Sequence, residues 1–312
     1  MALEAHRVPE ALLLQTRYTS STAGSGPLPA PCEASLAALG DEQARPLKQV
    51  QVDASDEVAT LAKPDAQPIT ARLAGAGSLR QELEALLTVA SPTASPAELR
   101  ELLLKDNVAG KGSAAARMWA WKRLKLRYVL DPAVDEYRAF VAEMRTATSP
   151  NDRDLLCFLM FARCDRLFRE VTLECISPHL TRDGVTIETG PVAAAVQARA
   201  AASGLDWSAK TLDRAHKHLL AALKDFGILR GSLKKQTVRP RPGLPAVRFA
   251  ARLARLEGLT DRQVLDSRWF RLLGLTTEQV IDLLYAANRA GALGFHMQAD
   301  VVELTLPPVV SE

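Results

Sequence analysis

The feature that most constrains this chain is a change of grammar at Ser78. Beyond it, apolar residues recur at helical spacing, and Ser, Thr, Pro and Gly stand where helices start and stop. Ser78 with Gln81 reads as a capping-box start ahead of the stripe Leu79, Leu83, Leu86 and Leu87. Ser95-Pro96-Ala97-Glu98 is a fuller signal, with an N-cap, proline at the first helical position and Glu at N3. Ser113, Asp131-Pro132 and Ser149-Pro150 read as the next three starts. Residues 151–180 read as two buried helices, with Cys157 and Cys164 seven apart on one core-facing side. The predicted class is mainly α: a helical bundle core with scattered strand pieces.

Before Ser78 the signal is weak. Residues 1–77 are rich in Ala, Pro, Ser, Thr and Gln, and Pro46, Pro64 and Pro68 interrupt any period. This region is expected to be partly ordered, with short helices at 11–15 and 33–39 docking on the body. The expected divisions are residues 1–77, a helical domain over 78–190, a basic module over 191–242 and an acidic C-terminal module over 243–312.

Charge separates these regions. Residues 1–92 hold seven Lys/Arg against eleven Asp/Glu, while residues 93–312 hold 32 against 25, giving the overall +3. From Asn107 to Leu130 there are six basic residues and no acid, and from Phe226 to Leu256 eight and no acid. Clustering of this kind suits a polyanionic partner.

Two segments read as winged helix-turn-helix-like modules. In the first, Ser208 caps a helix over 209–225. Its core stripe is Leu212, Ala215, Leu219, Ala222, Leu223 and Phe226, and Lys210, Arg214, Lys217 and Lys224 form the opposite ridge. A Gly/Lys-rich turn follows, with Arg230, Lys234, Lys235 and Arg239, and Arg241 just beyond. A helix in the major groove with a basic wing on the backbone is an established docking mode. The second module, 260–306, has capping boxes at Thr260 and Thr276 and a hairpin over 294–306. Over residues 276–306 the acids Glu278, Asp282, Asp300 and Glu303 stand against only Arg289, which suits a protein partner better than phosphate. A third basic element is the helix from Ser113, carrying Lys122, Arg123, Lys125 and Arg127 with Lys111 at the preceding turn. Trp119 and Trp121 fit two apolar stripes of this helix and are expected in the core.

Several chemistries lack their residues. Cys32, Cys157, Cys164 and Cys175 form no Cys-x-x-Cys pair, so buried free thiols in a reducing compartment are expected, not zinc or disulfides. There is no Walker A loop and no Gly-x-Ser-x-Gly elbow. His216 and His218 diverge on a helix, and Asp131, Asp135 and Glu136 are an incomplete nuclease set. No apolar run is long enough for a membrane span, and the N-terminus lacks a secretory pattern, so the expected location is cytoplasmic. No cofactor and no metal are expected.

Five stretches form an ordered series: Tyr18–Gly24; Asn107 through Leu126 with Ala115, Ala116, Arg117, Arg123 and Leu124; Trp207–Leu212; Leu223–Leu229; and Val264–Ser267. In this series the chain resembles the BrxA family of the BREX phage-defence systems. The resemblance covers about residues 17–40 and 80–306, and 41–77 look inserted. The resemblance implies a small, non-enzymatic BREX component that binds duplex DNA alongside other BREX proteins. The family is also similar to RNA-binding antitermination proteins, so RNA stands as an alternative ligand. A third alternative is a structural subunit with no nucleic-acid site of its own.

Overall fold

The computed structural model describes residues 62–309, all of which belong to one compact unit. The expected helices at 11–15 and 33–39, and Cys32, lie outside the described residues. The helices are α1 (Arg80–Val89), α2 (Pro96–Leu104), α3 (Ala114–Tyr128), α4 (Asp135–Thr146), α5 (Pro150–Cys164), α6 (Arg166–Cys175), α7 (Thr189–Ala202), α8 (Ala209–Asp225), α9 (Leu244–Leu256), α10 (Asp261–Val264), α11 (Arg268–Leu272) and α12 (Thr277–Arg289). Two small sheets accompany them. Strands β1 (Thr186–Ile187), β2 (Leu229–Arg230) and β3 (Lys235–Thr237) form an antiparallel sheet in the order β1-β3-β2, and β4 (Gly294–Gln298) and β5 (Val301–Thr305) form a hairpin. The chain is therefore mainly helical, as its periodicity indicates.

The core is organised on α5. Every residue from Leu155 to Cys164 is buried, as expected for a helix that is apolar on nearly all sides. It packs on α3, α4, α6 and α9. Phe161 is the centre of an aromatic cluster. Its ring centroid lies 4.7 Å from that of Phe168, 5.5 Å from Phe226 and 5.9 Å from Tyr128, all in edge-to-face geometry. Phe226 is the residue immediately after α8, so the cluster fixes the C-terminal end of that helix. Cys157 and Cys164 sit inside α5 as free thiols, and burial pushes the Cys164 thiol up to about 12.

Buried charges tie helices together. Arg163 pairs with Glu136 at 2.6 Å, and Arg248 on α9 pairs with Glu143 on α4 at the same distance. Arg169, with no exposed surface, donates to the carbonyls of Pro64 (2.5 Å) and Ala162 (2.8 Å), and its burial lowers its pKa to about 10. Arg127 donates to the carbonyls of Arg72 (3.0 Å) and Ala76 (2.7 Å), and Tyr128 to that of Ser78 (2.8 Å).

These bonds fix the path of residues 62–77. Pro64, Ile69 and Leu73 are buried there, and the segment forms short 3-10 turns at Pro64–Ala66 and Ala71–Gly75. Its carbonyls are satisfied by guanidiniums from distant helices, which leaves no local period to read.

Ser95, Thr260 and Thr276 make complete capping boxes, and Ser113 accepts from the amide of Ala116. Two other starts are corrected, and α5 begins at Pro150 as expected. Ser78 donates to Asp225 at 2.6 Å, and α1 begins at Arg80 behind Leu79 at φ +55° with no side-chain cap. Asp131 accepts from the amide of Ala133 in a local turn, and α4 begins four residues later, at Asp135. Ser149 makes no capping bond to α5.

Gly274 follows α11 at φ +67°, and a Cβ there would overlap the side chain and backbone of Leu180. Gly274→Ala combines left-handed strain with overpacking. It is expected to cost about 3 kcal/mol in urea denaturation, at unchanged m-value.

Candidate nucleic-acid interface

Helix α8 carries the centre of the candidate site. The Ser208 hydroxyl accepts from the amide of Thr211 and starts the helix. Ala215, Leu219, Leu220, Ala222 and Leu223 are buried against the body. Lys210, Arg214, Lys217 and Lys224 are all exposed on the other side. Lys217 pairs with Asp213 at 2.8 Å one turn earlier, and that bond holds the Asp213 carboxyl below the usual carboxylate range. Among the described residues, Lys210, Arg214 and Lys224 have no carboxylate within ion-pair distance.

The β2–β3 hairpin continues from the C-terminal end of α8. Leu229 pairs with Thr237 and Arg230 with Gln236, while β1 pairs on the far side of β3 through Thr186–Gln236 and Ile187–Lys235. Buried Thr237 locks this sheet: its hydroxyl donates to the Arg182 carbonyl (2.7 Å) and accepts from the Val185 amide (3.0 Å). The tip is tight. Gly231 has φ +91°, and a Cβ there would overlap the Lys234 carbonyl. The Lys235 ammonium donates to the carbonyls of Gly231 (3.0 Å) and Ser232 (2.9 Å), so Lys235 stabilises the tip and its charge is partly engaged. Arg230 and Lys234 are exposed and without carboxylate partners among the described residues.

Arg239 and Arg241 are exposed on the strap leading to α9 and line a cleft of about 560 Å³. Asp152 and Asp282 line the same cleft, so its charge is mixed. The sequence reading missed Arg182, an exposed cation set beside the hairpin by the β1–β3 pairing. The β-branched run Val185-Thr186-Ile187 favours a strand, but its partner, fifty residues on, is not legible in a local pattern.

The basic residues around α3 divide. Lys122 and Lys125 are exposed, and the Arg123 guanidinium lies against Gly75. Lys111 is paired with Glu82 at 2.5 Å, which removes it from any free cationic surface. Arg127 corrects its assignment as a contact residue. It is 2% exposed, bonded to backbone carbonyls and seated 4.9 Å over the Phe161 ring, so it serves the core. Trp121 is buried as expected, but Trp119 is 43% exposed. Among the described residues α3 packs on α2 and α5, and the second apolar stripe, Trp119 and Leu126, stays exposed.

The acid-free run from Phe226 to Leu256 does not make one basic surface. Arg248 turns to Glu143, Arg252 to the Pro307 carbonyl and Arg255 to Asp261. Glu143 and Asp261 pair with two of its three α9 arginines, and a backbone carbonyl engages the third. The C-terminal α12 and β4–β5 region exposes Glu278, Asp282, Asp300 and Glu303.

A family model, BrxA, matches residues 68–249, more than half of the chain. This chain belongs to the BrxA family. BrxA membership associates it with the BREX phage-defence systems. The BrxA match begins just before the 3-10 turn at Ala71–Gly75, includes α8 and the β2–β3 hairpin, and ends inside α9. Helices α10–α12 and the β4–β5 hairpin lie beyond it, as do the N-terminal motifs around Tyr18–Gly24. No curated protein and no solved structure matches. Among the described residues, no helix is long and apolar enough to cross a membrane, and no group of three or more His, Cys, Asp or Glu is placed to hold a metal ion.

Proposed function

We propose that this BrxA-family chain is a non-enzymatic DNA-binding accessory protein of a BREX phage-defence system, gripping duplex DNA through α8 and the β2–β3 hairpin. The observation that carries this reading is the unpaired, exposed ridge Lys210, Arg214 and Lys224, continued at the hairpin by Arg230 and Lys234. Two further features support it. The element order β1–α7–α8–β2–β3 with sheet order β1-β3-β2 fits a winged-helix reading, in which the helix before the hairpin would enter the major groove. The buried opposite face of α8 and the Phe226 cluster hold the ridge rigidly, so little ordering is needed on binding.

Lysines on this ridge act as point-charge phosphate contacts, while Arg214 also has the reach and planar geometry to read a guanine edge. If about six phosphates are neutralised, the log–log slope of affinity against salt is about −5. Fluorescence anisotropy of a labelled duplex across a salt series checks this. A slope near zero, or no binding at low salt, overturns the reading. Single-stranded RNA of matched length as competitor separates it from an RNA-binding role.

The acidic α12–β5 surface supports a second function on the same chain, contact with another BREX protein. Phosphate is repelled there, and a basic protein surface is its complement.

A further inference from the structure

Helix α3 presents an outer ridge that the packing does not use. Trp119 is 43% exposed and Leu126 41% exposed, with Lys122 between them and Arg123 and Lys125 at the flanks. An indole left open to water forfeits the burial that normally justifies so large a side chain. No acid occurs between Asp106 and Asp131, and Lys122, Arg123 and Lys125 have no carboxylate partner among the described residues. The ridge therefore combines a flat π surface with uncompensated positive charge.

Its position relative to α8 follows from the 3-10 turn at Ala71–Gly75. The Arg123 guanidinium lies against Gly75 of that turn. His218 of α8 contacts the Leu73 carbonyl of the same turn at 2.7 Å. Leu73 and Gly75 are about 4 Å apart along the turn, so α3 and α8 are neighbours across a single backbone segment. Trp119 lies one helical turn before Arg123, on the same flank.

We propose that the outer ridge of α3 stacks an unpaired nucleotide, so that the preferred ligand is duplex DNA carrying a single-stranded tail. This rests on the duplex reading for α8. The indole takes the base face, Leu126 extends the apolar floor, and Lys122, Arg123 and Lys125 follow the phosphates of the tail. In fully paired DNA the base faces are hidden in the stack, so blunt duplex gains nothing from Trp119. An acidic protein segment would also answer the cations, but it supplies no planar partner for the indole.

The test uses the full chain with two labelled ligands, a blunt duplex and the same duplex with a single-stranded tail. Anisotropy gives the affinities, and tryptophan emission reports stacking. The expected result is that the tailed duplex binds about tenfold more tightly and quenches emission. Trp119→Ala removes both the preference and the quenching, while blunt-duplex affinity and the melting temperature stay unchanged. Trp119→Phe, which keeps an aromatic face, retains most of the preference. Equal affinity for the two ligands in the parent chain, or a preference that survives Trp119→Ala, overturns the proposal and leaves the duplex reading standing. Failure to bind either ligand at low salt overturns the duplex reading and this proposal with it. Quenching of Trp119 by a glutamate-rich peptide but not by the tailed duplex assigns the ridge to an acidic protein partner instead.

Discussion

Changing Lys210, Arg214 and Lys224 together to glutamate is expected to lower duplex affinity by at least about a hundredfold at moderate salt. Each substitution removes one phosphate contact and sets a carboxylate against the phosphate backbone. Three lost contacts also flatten the salt dependence by about three units of log–log slope, at roughly 0.9 per phosphate. The three side chains are exposed and make no ion pair among the described residues, so the fold should not register the change. Lys105→Glu is the control: it reverses an exposed cation already engaged by Glu101 on α2, away from α8. If the control loses log affinity in proportion to its charge change, two units against six, only net charge matters, and α8 is not the site. If neither loses affinity, the grip lies elsewhere.

Phe161→Ala is expected to be the most damaging single truncation, costing about 4 kcal/mol in urea denaturation. The ring touches Phe168, Phe226 and Tyr128, and the buried Arg127 guanidinium rests on its face. Removing it opens a cavity and deprives a desolvated cation of its π partner. Arg127 already has two guanidinium nitrogens without a hydrogen-bond partner, and burial lowers its pKa, so it has little left to compensate with. Phe161→Leu keeps most of the volume and should cost less than half as much. Equal losses for the two substitutions would show that volume is not the deciding factor, and that the aromatic faces themselves hold Arg127. Because Phe226 anchors the end of α8, the alanine variant should also soften that helix, seen as faster amide exchange over its last turn.

The helices were legible where side-chain periodicity and local caps agree. Ser95, Thr260 and Thr276 each carry both halves of the capping box within four residues, and the structure forms all three. Ser78 had the same local spelling, but Asp225, far along the chain, took its hydroxyl. The α8 ridge was readable because one amphipathic helix decides both its faces. The α9 arginines were not, because Glu143 and Asp261 reach them from other elements. Arg127 and Trp119 exchanged their expected places for the same reason. Periodicity shows that a helix has stripes, but not which stripe finds a neighbour. Here the turn at 71–75 and α5 cover the Arg127 side and leave Trp119 uncovered.

The buried arginines that bind residues 64–76 recognise mainly main-chain oxygens: Arg169 that of Pro64, and Arg127 those of Arg72 and Ala76. Donors of this kind do not distinguish one side chain from another. Outside the buried Pro64, Ile69 and Leu73, the stretch can therefore vary in composition while its path stays fixed, but it tolerates gaps poorly, since one residue more or fewer shifts every oxygen out of reach. A version trimmed to begin at Ser78 would lose this lining and leave two guanidiniums facing the interior with no acceptor from that side.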